Sequence, residues 1–110
     1  MAAQTSQTIT AGGITPTALT PSASDTVADS QFGPNGLIVR VITTTTATNF
    51  SVSDSGVTPQ GNPGTVTPVN VPTTSVREFF VSRSAINLTT SNATLNFSAT
   101  SGVTYELKRV

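Results

Sequence analysis

The chain has 110 residues, five basic and five acidic, with zero formal net charge and no His, Cys or Trp. That length suits one compact domain of roughly 100–150 residues and leaves no room for a second. The side chains that most acid–base, triad and zinc chemistry depends on are missing, and five scattered cations cannot form the Lys/Arg stripe that binds nucleic acid.

Thr (22) and Ser (13) make up nearly a third of the chain, while charged residues make up 9% against about 25% in ordinary globular proteins. The expected surface is hydroxylated rather than ionic. The opening Met1–Gln7 has neither the basic nor the apolar region of a secretory signal, and no run approaches the ~18 apolar residues of a membrane span. Synthesis in a cytoplasm and no membrane partner are therefore expected. A route to the outside would be assembly into a particle released by lysis. Without Cys there is no disulfide framework to report a redox compartment.

Apolar residues, 35% of the chain, fall in short alternating runs rather than at helical spacing, which favours strands over helix or disorder. The polar residues 1–10 are expected to form an extended arm lying along another chain or a neighbouring strand, with residues 11–110 forming the domain. Strands are expected at Thr8–Thr10 and Ile14–Leu19, flanking a Gly12–Gly13 turn. Dense turn chemistry at Phe32–Gly36 precedes the nearly continuous apolar run Leu37–Ile42, which predicts a central strand covered on both faces. Thr43–Thr46 is strand-competent but polar on both faces, so its register is weakly specified.

Asn49–Ser53 alternates again, and Ser55–Gly64 reads as the longest loop, exposed and suited to an interface. Pro68 places the strand Val66–Val71 at an edge or a bulge. Strands follow at Val76–Val81 and Ala85–Leu88. The alternation of Leu95, Phe97 and Ala99, then Thr100–Gly102, then Val103, Tyr105 and Leu107 facing opposite to Thr104, Glu106 and Lys108, predicts a C-terminal hairpin. Seven to nine short strands with regular turns give an all-β fold, a single antiparallel β-sandwich, immunoglobulin-like or jelly-roll-like. Thr-covered edges with almost no Lys lack the usual guard against edge pairing, so either a partner or bulges must cover them.

Few constellations could carry chemistry. Asp25 and Asp29, four apart in an extended segment, share a face but stand about 13 Å apart, too far to share a proton or a calcium ion. Structural or turn-capping roles are expected for them, and no metal or other cofactor is called for. Four Asn-x-Ser/Thr matches, at Asn49, Asn87, Asn92 and Asn96, compare with about two expected by chance at this hydroxyl content, and solvent-facing strand positions are the simpler reading. Arg40, Arg77 and Arg83 stand out where charge is scarce. Their fork-shaped donors suit a partner's carboxylates or a cross-strand pair. Phe79 and Phe80 must point to opposite faces of a regular strand, one into the core and the other under a loop or toward a neighbouring subunit.

Thr8-Ile9-Thr10-Ala11-Gly12-Gly13-Ile14-Thr15-Pro16, the block Val69-Asn70-Val71-Pro72-Thr73-Thr74-Ser75-Val76-Arg77-Glu78-Phe79-Phe80-Val81 and the short last strand resemble small virion proteins of tailed bacteriophages, the capsid decoration or cement proteins. The resemblance implies a non-enzymatic protein, often a homotrimer, on the outer surface of the head at capsomer junctions, with the major capsid protein as partner. In that reading Ala2, Gln4, Thr8, Ile9 and Thr10 add to a capsid strand by β-augmentation. Arg40, Arg77 and Arg83 fix orientation against acidic patches, and Phe79 supplies an apolar contact. The alternative is a tail- or fibre-associated sandwich that recognises a host-surface glycan, for which the sequence offers few aromatic platforms.

Overall fold

The computed structural model describes residues 2–54, 59–60 and 66–110, and within them the chain forms nine strands in two sheets. In chain order these are β1 (Ala3–Gln4), β2 (Gln7–Thr8), β3 (Ser24–Ala28), β4 (Leu37–Thr43), β5 (Thr48–Val52), β6 (Val69–Val71), β7 (Val76–Val81), β8 (Asn92–Phe97) and β9 (Val103–Arg109). Five strands make one sheet in the order β1-β3-β8-β5-β6, and four make the other in the order β2-β9-β4-β7. The two pack face to face as a β-sandwich. Both are mixed rather than purely antiparallel, because β1 runs parallel to β3 and β2 parallel to β9.

Alternation places each strand's apolar set between the sheets. Val27, Phe50, Ala93, Leu95 and Phe97 from the five-stranded sheet meet Leu37, Val39, Val41, Val81, Val103, Tyr105 and Leu107 from the other, all buried. Four rings cross this core in sequence. Phe79 stacks on Phe50 at 4.6 Å between centroids, Phe50 on Phe97 at 5.3 Å, and Phe97 on Tyr105 at 4.9 Å. Each tilted pair adds about 0.5–1.5 kcal/mol beyond its buried area.

Several expectations are revised. The run Leu37–Ile42 is central, lying between β9 and β7, but only its inner face is buried, and Ile38 and Ile42 are half-buried on the outside. The last two strands are not a hairpin: β8 and β9 belong to different sheets, and Thr100–Gly102 carries the chain across the sandwich. Alternation identifies both strands without saying that they pair. Ile14–Leu19 is not a strand, apart from one bridge of Leu19 to Tyr105, and Ala85–Leu88 follows a short 3-10 turn at Arg83–Ala85 instead of extending. The loop expected over Ser55–Gly64 falls largely outside the described residues. Pro68 directly precedes β6, which is an edge strand as its proline requires.

Buried hydroxyls do the joining that ion pairs do elsewhere. Thr43 Oγ1 donates to the Pro72 carbonyl and accepts from Ser75 N at 3.0 Å, and Thr48 Oγ1 donates to Ala99 O at 2.9 Å and accepts from Ala99 N at 3.1 Å. Gly33 and Gly36 close the turn before β4 by exchanging backbone hydrogen bonds, and Val110 N donates to Gly36 O at 3.2 Å. Gly36 has φ +137°, and a Cβ there would strike the Val81 carbonyl oxygen and come within 3.0 Å of Phe80 Cζ. Gly36→Ala is expected to cost about 2 kcal/mol or more, read as a lower denaturation midpoint at unchanged m value. A midpoint equal to wild type would show that the turn relaxes freely.

Candidate functional site

Asp25 is a fully buried carboxylate, 0% exposed on the inner face of β3. Burial of a carboxylate costs several kcal/mol unless hydrogen bonds and charge replace water. No cation pairs with it among the described residues. Neutral donors surround it instead: Tyr105 OH from the opposite sheet at 2.6 Å, Ser22 Oγ, Ser22 N at 3.2 Å, Gln4 Nε2 at 3.4 Å and Ala2 N at 3.2 Å. Desolvation by itself would raise the carboxyl pKa, but the bonds from Ser22, Tyr105 and Gln4 outweigh it and hold the group below its usual 3.8. For Tyr105, burial and then the Asp25 bond and charge push the phenol well above 10.0. Near neutrality Asp25 is thus an acceptor and Tyr105 a donor, and neither is poised to exchange a proton with a substrate. The cluster is a fastening between β3, β9 and the N-terminal segment.

An open cleft of about 450 Å³ at one end of the sandwich is lined by Asp54, Arg83, Ser84, Ile86, Asn87 and Leu88. Arg83 is already engaged there by the Asp29 carboxylate and, at 3.1 Å, by the Gly33 carbonyl. Among the described residues no three His, Cys, Asp or Glu side chains gather as a metal site.

The two outer faces differ sharply in chemistry. On the five-stranded sheet, Ser24 and Thr26 of β3, Asn92, Thr94 and Asn96 of β8, and Asn49 and Ser51 of β5 face outward without a charge. Several of their polar groups bond within the face: Ser24 Oγ donates to Asn96 Oδ1 at 2.9 Å, Asn96 Nδ2 to Ser53 Oγ at 2.9 Å, and Asn70 Nδ2 to Asn49 Oδ1 at 3.0 Å. On the four-stranded sheet the register builds three rows across β7 and β4. These are Phe80 beside Ile38, Glu78 beside Arg40, and Val76 beside Ile42. Phe80 is 62% exposed and Val76 51%. Arg40 reaches Glu106 of β9 at 3.9 Å, and Lys108 takes the same Glu106 oxygen at 3.0 Å.

Edges complete the picture. β1 and β2 offer only two paired residues each. β6 is three residues long between Pro68 and Pro72, and Arg77 Nη1 caps its Asn70 carbonyl at 3.1 Å. β7 is the exception, six residues long with no partner on its far side among the described residues. Beside it an apolar groove of about 190 Å³ opens between the sheets, lined by Phe50, Val52, Val66, Val69, Phe79 and Val81. A long edge with exposed apolar side chains is the kind that natural sheets cover.

The residues singled out from sequence do not form one patch. Ala2 and Gln4 lie against β3 on Asp25, and Thr8 is paired with Arg109 of β9. Ile9 is 56% exposed, and Thr10 closes a turn by accepting from Gly13 N at 2.9 Å. The three arginines already have partners within the chain and point to three places: Arg40 on the outer face, Arg77 at the β6–β7 side, and Arg83 at one end. Phe79 turns inward onto Phe50 at the margin of the core, where it also lines the groove beside β7, and the outward ring is Phe80. The paired rows of β4 and β7 were missed. Alternation within β7 gave their parity, but only the register gives their neighbours. Comparisons with protein families, with curated proteins and with solved structures found no match.

Because Asp25 titrates below 3.8 when folded, its contribution is fully present above that pH and is lost as pH falls through the lower, folded value. Asp25→Asn, which leaves several donors facing an amide, is expected to lower stability at pH 7 by about 1–3 kcal/mol and to flatten the acid limb of a stability–pH curve. An unchanged limb would assign acid sensitivity to other carboxylates. Deleting Ala2–Thr10 removes two of Asp25's donors together with β1 and β2, so the midpoint of thermal unfolding should drop. A midpoint equal to that of the full chain would show that the segment is not part of the fold's support.

Proposed function

We propose that this chain is a non-enzymatic structural protein of a phage particle, which binds the outer capsid surface and braces the head at capsomer junctions. The observation that carries the reading is the β7 edge: six residues with no strand on their far side among the described residues, beside an apolar groove, on a domain whose other edges are short or guarded. A strand of the major capsid protein adds to β7 by main-chain hydrogen bonding and sets one apolar side chain into the groove, which is β-augmentation. The segment Ala2–Thr10 is then the receiving domain's own fastening rather than the inserted strand, because its hydrogen bonds are spent on β3 and β9. Strand order supports a jelly-roll-like rather than an immunoglobulin-like sandwich. Counting β2 to β9 as one to eight, the sheets run 1-8-3-6 and 2-7-4-5, and the last two strands do not share a sheet as they do in immunoglobulin domains. Jelly rolls are common in viral shells, and that link is an analogy of fold.

The test mixes purified protein with heads that lack it and weighs the particles. Binding at every capsomer junction, with β7 amides gaining protection from hydrogen exchange, is the expected result. A handful of copies per particle would move the protein to a tail or vertex, and no binding together with retention on a glycan array would overturn the proposal.

A further inference from the structure

The outer face of the four-stranded sheet has a property that the shell-binding edge does not use. Its three rows are each made of one residue from β7 and one from β4, and in every row the two are complementary or alike. Phe80 lies beside Ile38 and Val76 beside Ile42, while the middle row sets Glu78 beside Arg40. A two-fold axis in the plane of the face, parallel to the strands and midway between β4 and β7, brings β7 of one copy over β4 of the other. Phe80 then covers Ile38, Val76 covers Ile42, and each Glu78 meets the other copy's Arg40, twice by symmetry.

The three rows together select this axis over its neighbours: an axis between β4 and β9 would set Arg40 on Glu106 but press Ile38 onto Lys108 and Ile42 onto Thr104. An axis along β4 would put Arg40 on Arg40 and Glu78 on Glu106. An axis along the rows would again set Arg40 on Arg40 and Glu78 on Glu78. Like charges face to face oppose both arrangements. Two sheets related by a strand-parallel axis pack aligned, with the crossing of about 30° that sheet twist supplies.

Both members of the middle row have capacity to spare. Glu78 makes no ion pair among the described residues, and Arg40, whose side chain is 39% exposed, makes one long one, at 3.9 Å. Phe80 is held ready by Gly36, whose missing side chain lets the ring lie against the turn. The opposite face of the sandwich offers no such match, being uncharged and bonded within itself.

We infer that the chain self-associates as a two-fold dimer through the Phe80–Ile38, Glu78–Arg40 and Val76–Ile42 rows. This contact is two-fold, in place of the trimer that the phage resemblance implies, because the same patch serves on both copies. It does not rest on the capsid reading, and it leaves the β7 edge open, since the partner sits over the face and not beside the strand, with Phe80 the one dimer residue that also borders the groove. A patch two strands wide falls at the small end of specific interfaces, so a Kd on the order of 10–100 µM is expected.

Sedimentation velocity over a concentration series tests this on the isolated protein. Wild type is expected to pass from monomer to dimer. Glu78→Lys and Val76→Asp, both at exposed positions, should each raise the Kd by about tenfold or more with an unchanged β-rich circular dichroism spectrum. A wild type that stays monomeric, a trimer, or a dimer indifferent to both substitutions would overturn the inference. So would protection of the β7 amides on self-association, which marks edge-to-edge pairing instead of face packing. Failure here with full binding to heads, or the reverse, separates this inference from the proposed function.

Discussion

A carboxylate buried between two sheets, with no cation beside it among the described residues, constrains much of this molecule. Asp25 stays ionised because uncharged donors converge on it from three parts of the chain: Tyr105 across the sandwich, Ser22 just ahead of β3, and the N-terminal residues Ala2 and Gln4. The row of rings from Phe79 through Phe50 and Phe97 ends on Tyr105, so the apolar core and the polar fastening meet at one side chain. Removing any donor leaves a charge less well solvated than water would leave it. The position of β9 against β3 and that of the first strands are therefore coupled.

That coupling gives the two sides of the sandwich different characters. On the β1–β2 side the N-terminal segment crosses from one sheet to the other and is held along its length, with Ser6 N donating to Gln31 Oε1 at 2.9 Å and Arg109 Nη2 to Ser6 O at 3.1 Å. On the β6–β7 side Arg77 reaches the Asn70 carbonyl and Phe79 stacks on Phe50 across the sheets, and the groove stays open beside a full-length edge. Interaction capacity collects where the chain has spent least on itself. The scarcity of charge sharpens this contrast. Hydroxyls such as Thr43 and Thr48 join the loops, so the few ionic groups on the outer face of the four-stranded sheet form a short pattern, Glu78, Arg40, Glu106 and Lys108.

How much of this could be read from the residues varies with the kind of claim. Strand parity was legible in β9 and from Leu95 on in β8, because alternation needs only local sequence, whereas the nearly continuous apolar run of β4 hid which of its faces turns inward. The edge position of β6 was legible from Pro68. The N-terminal segment read as an arm because its polar residues show no core periodicity, and its real anchor, a carboxylate 21 residues away from Gln4, leaves no local trace. The two phenylalanines of β7 were known to oppose one another, but which faced inward depended on Phe50 arriving from another sheet. Asp25 read as a turn residue for the same reason, since its donors come from positions up to 80 residues distant.

Composition and alternation by themselves established an all-β domain of many short strands with a hydroxylated surface and no His or Cys, since these depend on residue type and nearest neighbours alone. Tertiary structure decided the rest: that β8 and β9 part into different sheets, that β1 and β2 join parallel to β3 and β9, and that Glu78 lies beside Arg40. Each of these is a pairing between distant segments, and a period of two constrains the face of a side chain without naming the strand next to it.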